Sequence, residues 1–130
     1  MGNSKKFMTL SDDTVEITVD DRQLRRVVID PNYIKDDGRV TSFAFRLRKD
    51  ETGLSVDVER LTNYEAAVKD TQKYKLWALI AEVPRNLGLE CIHDPVEDNN
   101  AHALIIGEID RSVQRKLARS ATPVNPDLPI

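Results

Sequence analysis

Two neighbouring segments of the chain alternate apolar and polar side chains one by one, and this pattern constrains the fold more than any other. Successive residues of a β-strand point to opposite faces, so residues 40–49 and residues 54–60 each predict a strand with one buried face. The short link between them, which contains Gly53, predicts an antiparallel hairpin. The residues expected to face the core are Thr41, Phe43, Phe45, Leu47, Leu54, Val56 and Val58.

Further segments extend this predicted sheet and add helices. Residues 76–83 are almost entirely apolar, so periodicity cannot separate a strand from a helix there, and we favour a buried strand. Thr62 followed by Glu65 forms a capping box and predicts a helix start, while Asp110 is a suitable N-cap for a second helix. Other segments with strand character are residues 14–21, 23–30, 88–94 and 101–109.

The order of these elements indicates the fold class. Strands cluster first and helices come between and after them, which favours α+β over alternating βα units. We therefore expect a single antiparallel or mixed β-sheet of about five to seven short strands with two helices. A length of 130 residues suits one domain, which we place at residues 13–121, between a flexible N-terminus (1–12) and a proline-containing C-terminal tail (122–130).

Composition narrows the class of protein. A net charge of −3 argues against a surface built wholly for nucleic acid. Cys91 is the only cysteine, so no internal disulfide can form, and we expect it to be a small buried hydrophobe, with a pairing to His93 as the alternative. The longest apolar runs are about five residues, far below the roughly 20 that span a bilayer, and no secretory leader is visible. These features predict a cytoplasmic protein without membrane contact.

Residues 93–107 contain both histidines of the chain. His93 and His102 are nine residues apart and could meet across a hairpin, with Asp94 and Asn100 beside them. No standard zinc spacing is present, so we expect no metal. A polar loop that leads into a buried strand is the simplest interpretation. The alternative is that His93 or His102 acts as a general acid or base, because histidine titrates near neutral pH.

A second group of candidate residues is basic. Arg26 (or its neighbour Arg25), Arg46 and Arg48 fall on neighbouring predicted strands, and Ser42 shares the outward face of the last two. Guanidinium groups match phosphate oxygens, so such a face could hold a phosphate. We expect Phe43 and Phe45 to point the other way, which would leave the face without stacking rings. The simpler interpretation is a solvated face whose arginines pair with Asp57 and Glu59 across strands.

Common nucleotide and hydrolase motifs are absent from the sequence. It contains no Walker loop, no GxGxxG and no GxSxG segment. We therefore expect no cofactor.

The segments "LRRVV", "DGRVTSFAFR", "GLSVDVERL" and "LGLECIHDPVEDNNAHALIIG" resemble a group of short, uncharacterised bacterial proteins. The likeness spans about residues 22–120, and it implies a bacterial cytoplasmic protein but no particular activity. The group shares a "glSVD" segment and a "dP…N.aHa.I.G" segment. Where its usual pattern has Asn-Pro-Ala-His, this chain has Asn99-Asn100-Ala101-His102.

Three functions follow as hypotheses. The first is a binding module for a protein or nucleic-acid partner, with self-association also open, because no complete catalytic motif is present. The alternative is a small enzyme that acts on a phosphate-containing substrate such as a nucleotide or RNA, with a histidine as acid–base catalyst and arginines that bind phosphate. A third possibility is a structural subunit whose proline-containing tail packs on a neighbour. The second hypothesis requires histidine and arginine to line one pocket.

Overall fold

The fold is seen in a computed structural model that describes residues 14–126. Its centre is one antiparallel sheet of six strands in the order β4-β5-β2-β1-β3-β6. The strands are β1 (Arg22–Val28), β2 (Leu54–Val58), β3 (Tyr74–Ile80), β4 (Glu90–His93), β5 (His102–Ile106) and β6 (Thr122–Pro123). The described residues also form three α-helices, α1 (Tyr64–Val68), α2 (Glu82–Asn86) and α3 (Arg111–Ser120), and two 3₁₀ helices, Ser42–Phe45 and Glu59–Leu61. This is the α+β, single-sheet architecture that the sequence predicts.

The main core lies on one face of the sheet. Alternate residues of β2, including Leu54 and Val58, are fully buried there beneath Leu117 of α3 and Phe45 of the first 3₁₀ helix. A smaller cluster on the opposite face joins Leu24 of β1 to α1. Since α1 covers only part of that opposite face, the rest of it is open to ligands.

Strand β3, which lies between β1 and β6, resolves the ambiguity of residues 76–83. It pairs with β1 over seven residues, from Arg22 opposite Ile80 to Val28 opposite Tyr74. Trp77 packs in the main core, whereas Leu76 packs in the smaller cluster. A strand buried on both faces has no polar side to alternate with, which explains its nearly continuous apolar run. The strand prediction for this segment is confirmed up to Ile80, and α2 then begins at Glu82.

The strand prediction for residues 40–49 is wrong. Ser42–Phe45 form a 3₁₀ helix in which the consecutive residues Ala44 and Phe45 are both buried, while Phe43 is 44% exposed. A strand would place Phe43 and Phe45 on the same buried face, which the exposure of Phe43 rules out, and the segment closes a helical turn instead. The predicted hairpin is therefore also wrong, because β2 pairs with β1 and β5 instead.

The strand prediction for residues 14–21 is wrong as well. Ile17 is buried, but Val15 and Val19 are exposed, so the three side chains do not share a core face. The Asp21 carboxylate accepts a hydrogen bond from the main-chain N–H of Thr18 at 2.8 Å, and Asp21 N–H donates to the carbonyl of Thr18 at 3.0 Å. These bonds close a turn that ends the segment before β1 begins.

The remaining local predictions are largely confirmed. Strands β1, β2, β4 and β5 lie where expected, and the side chain of Asp110 accepts from Val113 N–H at the start of α3. Helix α1 begins one residue late, since Asn63 and not Thr62 caps it by accepting from Ala66 N–H. In the tail, Thr122 and Pro123 form β6. The expected flexible segment 1–12 lies outside the described residues.

No helix within residues 14–126 is both long enough and apolar enough to cross a membrane.

Candidate functional site

The site begins where two neighbouring strands separate. β1 pairs with β2 only at Gln23–Val58 and Leu24–Asp57, although β1 continues to Val28 along β3. The side chain of Arg25 enters the resulting gap. Its Nε donates to the carbonyl of Ala44 at 2.8 Å and its Nη1 donates to the carbonyl of Ser55 in β2 at 2.9 Å. A guanidinium thus takes the place of the next ladder hydrogen bonds.

A cleft of about 600 Å³ opens beside this gap, and we call it the Arg-His cleft. It lies over the open part of the sheet, between the end of α1 and the loop 94–101. Its cations are Arg25, Arg26, Arg48 and Lys69, and its neutral polar side chains include Ser55, Asn99 and His102. The carboxylates on its walls are Glu51, Asp57, Glu97 and Asp98.

The cations of the cleft are not neutralised by direct ion pairs. Within the part of the chain that the structure describes, none of the four lies in a salt bridge with a carboxylate. Burial lowers the pKa of Arg25 to about 10, with a smaller opposing effect from Glu51, so Arg25 still carries its charge at neutral pH. Arg26 donates to the carbonyl of Ala67 at 3.0 Å and lies over the ring of Tyr74, 5.3 Å from its centre.

Two of the four carboxylates are already engaged by the protein. The Glu51 carboxylate accepts from the main-chain N–H of Arg48 at 2.8 Å, and the Asp57 carboxylate accepts from Nδ2 of Asn99 at 2.8 Å. Glu97 and Asp98 are exposed and belong to the loop at the edge of the cleft. The cleft therefore contains charged guanidinium groups that an anionic ligand can contact, while two of its four carboxylates already accept hydrogen bonds from the protein.

His102 is held in a defined orientation at the start of β5. Its Nδ1 lies 2.9 Å from the carbonyl oxygen of Asp94 and 3.2 Å from the Asp94 carboxylate, and its Nε2 lies 3.3 Å from Oγ of Ser55. Because both oxygens near Nδ1 are acceptors, the neutral ring carries its hydrogen on Nδ1. The lone pair of Nε2 then faces the Ser55 hydroxyl, which donates to it. The side chain of His102 is 20% exposed, so solvent and ligand can reach it.

Ser55 is a residue of this site that the sequence did not single out. It is the outward residue of β2 and lies opposite Leu104 of β5, while His102 lies opposite Asp57. Ser55 and His102 are therefore diagonal neighbours on one face, a separation that a histidine side chain can bridge. The outward position of Ser55 was visible in the alternation of residues 54–58, but its contact depends on the strand register.

His93 lies apart from the Arg-His cleft. It is buried, its Nδ1 accepts from Val15 N–H at 2.9 Å, and its Nε2 lies 2.7 Å from the carbonyl of Asn100. Both ring nitrogens are thus used to join the segment before β1 to the loop 94–101. A catalytic role of His93 stays a prediction, and we leave it out of the candidate site.

The other predicted site residues divide between the cleft and its surroundings. Arg26 and Arg48 line the Arg-His cleft, and Asp94 reaches it through His102. Arg46 is exposed and lies over the ring of Phe43, 4.4 Å from its centre. Ser42 lines a different cleft, beside Trp77 and α3. Asn100 contributes its carbonyl to His93, and its neighbour Asn99 lines the Arg-His cleft instead.

Within the described residues, none of the predicted site arginines, Arg26, Arg46 and Arg48, forms the expected salt bridge with Asp57 or Glu59. Glu59 pairs with Arg22 at 3.0 Å, and Asp57 is bound by Asn99. Within residues 14–126 no group of three or more histidine, cysteine, aspartate or glutamate side chains is arranged to hold a metal ion.

Fold and site together define a small α+β domain with a polar, arginine-rich cleft on one face of an antiparallel sheet. No protein-family model, curated protein or solved structure matches the chain.

Proposed function

We propose that this chain is a small enzyme that acts on a phosphate-containing substrate in the Arg-His cleft. The observation that carries the proposal is the convergence of His102 with Arg25, Arg26 and Arg48 in one cleft, where no carboxylate of residues 14–126 lies within salt-bridge distance of these guanidinium groups. Phosphate oxygens would supply the missing anionic partner, and a guanidinium can donate two parallel hydrogen bonds to them.

His102 supplies the acid–base chemistry in this proposal. Its Nδ1–H is fixed by Asp94, so Nε2 is the nitrogen that can accept or return a proton inside the cleft. Acid–base catalysis by a positioned histidine typically contributes a rate factor of about 10²–10⁴. The histidine and the arginines therefore have separate roles, since one moves a proton and the others bind charge.

The experiment measures turnover of 4-nitrophenyl phosphate, bis(4-nitrophenyl) phosphate and a short RNA, with inorganic phosphate as a competitor. We expect Arg26→Met and Arg48→Met to raise KM, and His102→Gln to lower kcat by about 100-fold or more. The matched control is Arg39→Met, because Arg39 is an exposed arginine outside the cleft that pairs with Asp37. Equal activity of the Arg26, Arg48 and Arg39 variants would contradict the proposal.

A second candidate function is nucleic-acid binding without chemistry. It is favoured by the exposed ring of Phe43, over which Arg46 lies, because an exposed aromatic ring beside an arginine can stack on a base. This corrects the expectation that the arginine-bearing surface has no aromatic side chain. The same RNA tests this candidate function. If the wild-type chain binds the RNA tightly but does not turn it over, and Phe43→Ala loses the binding, nucleic-acid binding without chemistry is selected.

A further inference from the structure

We propose that Ser55 is a nucleophile, activated by His102 and positioned through Asp94, and that it forms a covalent ester with its substrate. The inference rests on the proposed function, which supplies the substrate class, a phosphate ester. It goes further because it names the attacking atom, Oγ of Ser55.

The geometry that carries the inference is a chain of three side chains. Ser55 Oγ lies 3.3 Å from Nε2 of His102, and Nδ1 of the same ring lies 3.2 Å from the Asp94 carboxylate and 2.9 Å from its carbonyl oxygen. A nucleophile next to a base, with that base oriented by a third group, is the arrangement that activates a serine hydroxyl. The 3.3 Å contact lies just beyond the roughly 2.6–3.2 Å reach of a nucleophile–base pair, so a small shift of either side chain closes it.

The direction of the His102 side chain supports a role beyond sheet packing. The residue directly opposite His102 in β2 is Asp57, a carboxylate. That carboxylate is bound by Asn99, and the His102 ring reaches diagonally to Ser55 instead. Both Ser55 and His102 line the cleft, so a substrate can reach the hydroxyl.

Arg25 places a positive charge beside the nucleophile. Its guanidinium donates to the carbonyl of Ser55 itself at 2.9 Å and also lines the cleft. A fixed cation in a partly buried site stabilises negative charge that develops on phosphoryl oxygens during attack. The site thus combines a nucleophile, a base, a positioning carboxylate and an electrostatic stabiliser.

The covalent step balances without any further reagent except water. The Ser55 Oγ–P bond forms while the P–O bond to the leaving group breaks, and the Ser55 proton passes to Nε2 of His102. His102 then returns this proton to the departing oxygen. Water attacks the phosphoserine with His102 as base, which releases phosphate and restores the Ser55 hydroxyl.

The test uses the intact chain and a fluorophosphonate, which loses fluoride when an activated serine attacks its phosphorus. Intact-mass measurement and peptide mapping of the wild-type chain should place one adduct on Ser55. Ser55→Ala should abolish labelling, and His102→Gln should slow it by about 100-fold or more. Ser42→Ala is the matched control, because Ser42 lies in a different cleft and its removal should leave the rate unchanged.

Asp94 is tested as a positioning residue. Its side chain is 47% exposed, so substitution should leave the thermal unfolding midpoint unchanged. We expect Asp94→Ala to lower the labelling rate about tenfold and Asp94→Asn to restore part of it, because asparagine keeps a side-chain oxygen near Nδ1. A purely structural role would not separate labelling from thermal stability in this way.

The outcomes separate this inference from the proposed function. Turnover of phosphate esters without an adduct on Ser55 would overturn the nucleophile and leave the proposed function standing. An adduct on Ser55 without phosphate-ester turnover would support the nucleophile and overturn the substrate class. A wild-type chain that gives no adduct, or labelling that persists in Ser55→Ala, overturns the inference.

Discussion

Arg25 provides a direct test of whether a residue serves binding or folding. We expect Arg25→Met to abolish phosphate binding in the Arg-His cleft while it changes the free energy of unfolding by less than about 1.5 kcal/mol. Methionine preserves much of the length and apolar stem of the side chain but removes its charge and donors. The result matters because Arg25 fills the gap between β1 and β2, a position where a structural role would also be expected.

The magnitude follows from two opposing contributions. The burial that lowers the pKa of Arg25 to about 10 disfavours its charged form by roughly 3 kcal/mol, at about 1.4 kcal/mol for each tenfold change in proton affinity. Part of the Arg25 side chain faces the cleft, so solvent screening reduces the cost of its charged form to about 2–3 kcal/mol. The hydrogen bonds to Ala44 and Ser55 stabilise the fold by about 0.5–1.5 kcal/mol each, and after substitution water can reach those carbonyls. The two contributions nearly cancel.

Urea unfolding at neutral pH measures the stability, and calorimetric titration with inorganic phosphate measures the binding. The matched control is Arg85→Met, because Arg85 also donates to main-chain carbonyls, those of Ile17 and Cys91, but lies outside the cleft. We expect that variant to lose about 1–3 kcal/mol and to bind phosphate like the wild type.

Either of two results would contradict this prediction for Arg25. The first is a fall of more than about 3 kcal/mol in the free energy of unfolding of Arg25→Met. The hydrogen bonds of the guanidinium would then stabilise the fold by more than the burial of its charge costs. If the variant keeps wild-type affinity for phosphate, the cleft does not use this charge.

Three further predictions concern the core and the N-terminal turn. Phe45→Ala should cost about 3–5 kcal/mol in urea unfolding and Phe43→Ala less than about 1 kcal/mol, whereas equal losses would restore the strand interpretation of residues 40–49. The hydrogen bond from Arg60 lowers the pKa of the Asp21 carboxyl, so Asp21→Asn should destabilise the chain at pH 7. The difference from wild type in the free energy of unfolding should shrink as acid protonates Asp21, and a difference that does not change on acidification would contradict this. Burial raises the pKa of the Cys91 thiol, so iodoacetamide should modify it at least tenfold faster in urea than in the native chain, and equal rates would show an accessible thiol.

Local patterns predicted the sheet where each strand has one clearly buried face. In β2, Leu54, Val56 and Val58 are all buried, so alternation and structure agree. Residues 41–47 show the same alternation, but the segment packs beneath α3 as a 3₁₀ helix and pairs with no strand in the described chain. The alternation of apolar and polar residues shows only which side chains can be buried. Whether the segment becomes a strand depends on whether a neighbouring strand is available for pairing.

The site was predicted in part, because some of its residues stand out by type or by expected position and others do not. His102 was proposed because the chain has only two histidines, and Arg26 and Arg48 were proposed because they fall on neighbouring predicted strands. The structure brings all three to one cleft, although the strand expected to carry Arg48 does not form. Ser55 was not proposed, because one serine on a strand is unremarkable until the register places it diagonal to His102. The register between β2 and β5 joins segments almost 50 residues apart, which no short motif encodes.

The cleft itself has a cause in the sequence, and that cause can be tested. If the β1–β2 ladder continued beyond Leu24–Asp57, Arg25 would lie opposite Val56, which is buried in the main core. A charged side chain at that inward position is costly, so the strands separate and the guanidinium turns to main-chain carbonyls in the gap. We therefore expect Arg25→Val to let the ladder extend to Ser55 and to narrow the cleft. Hydrogen exchange of the Ser55 amide should slow at least tenfold in this variant relative to the wild-type chain, whose guanidinium occupies the gap. Equal exchange rates in Arg25→Val and the wild type would show that the strands separate for a reason other than this charge.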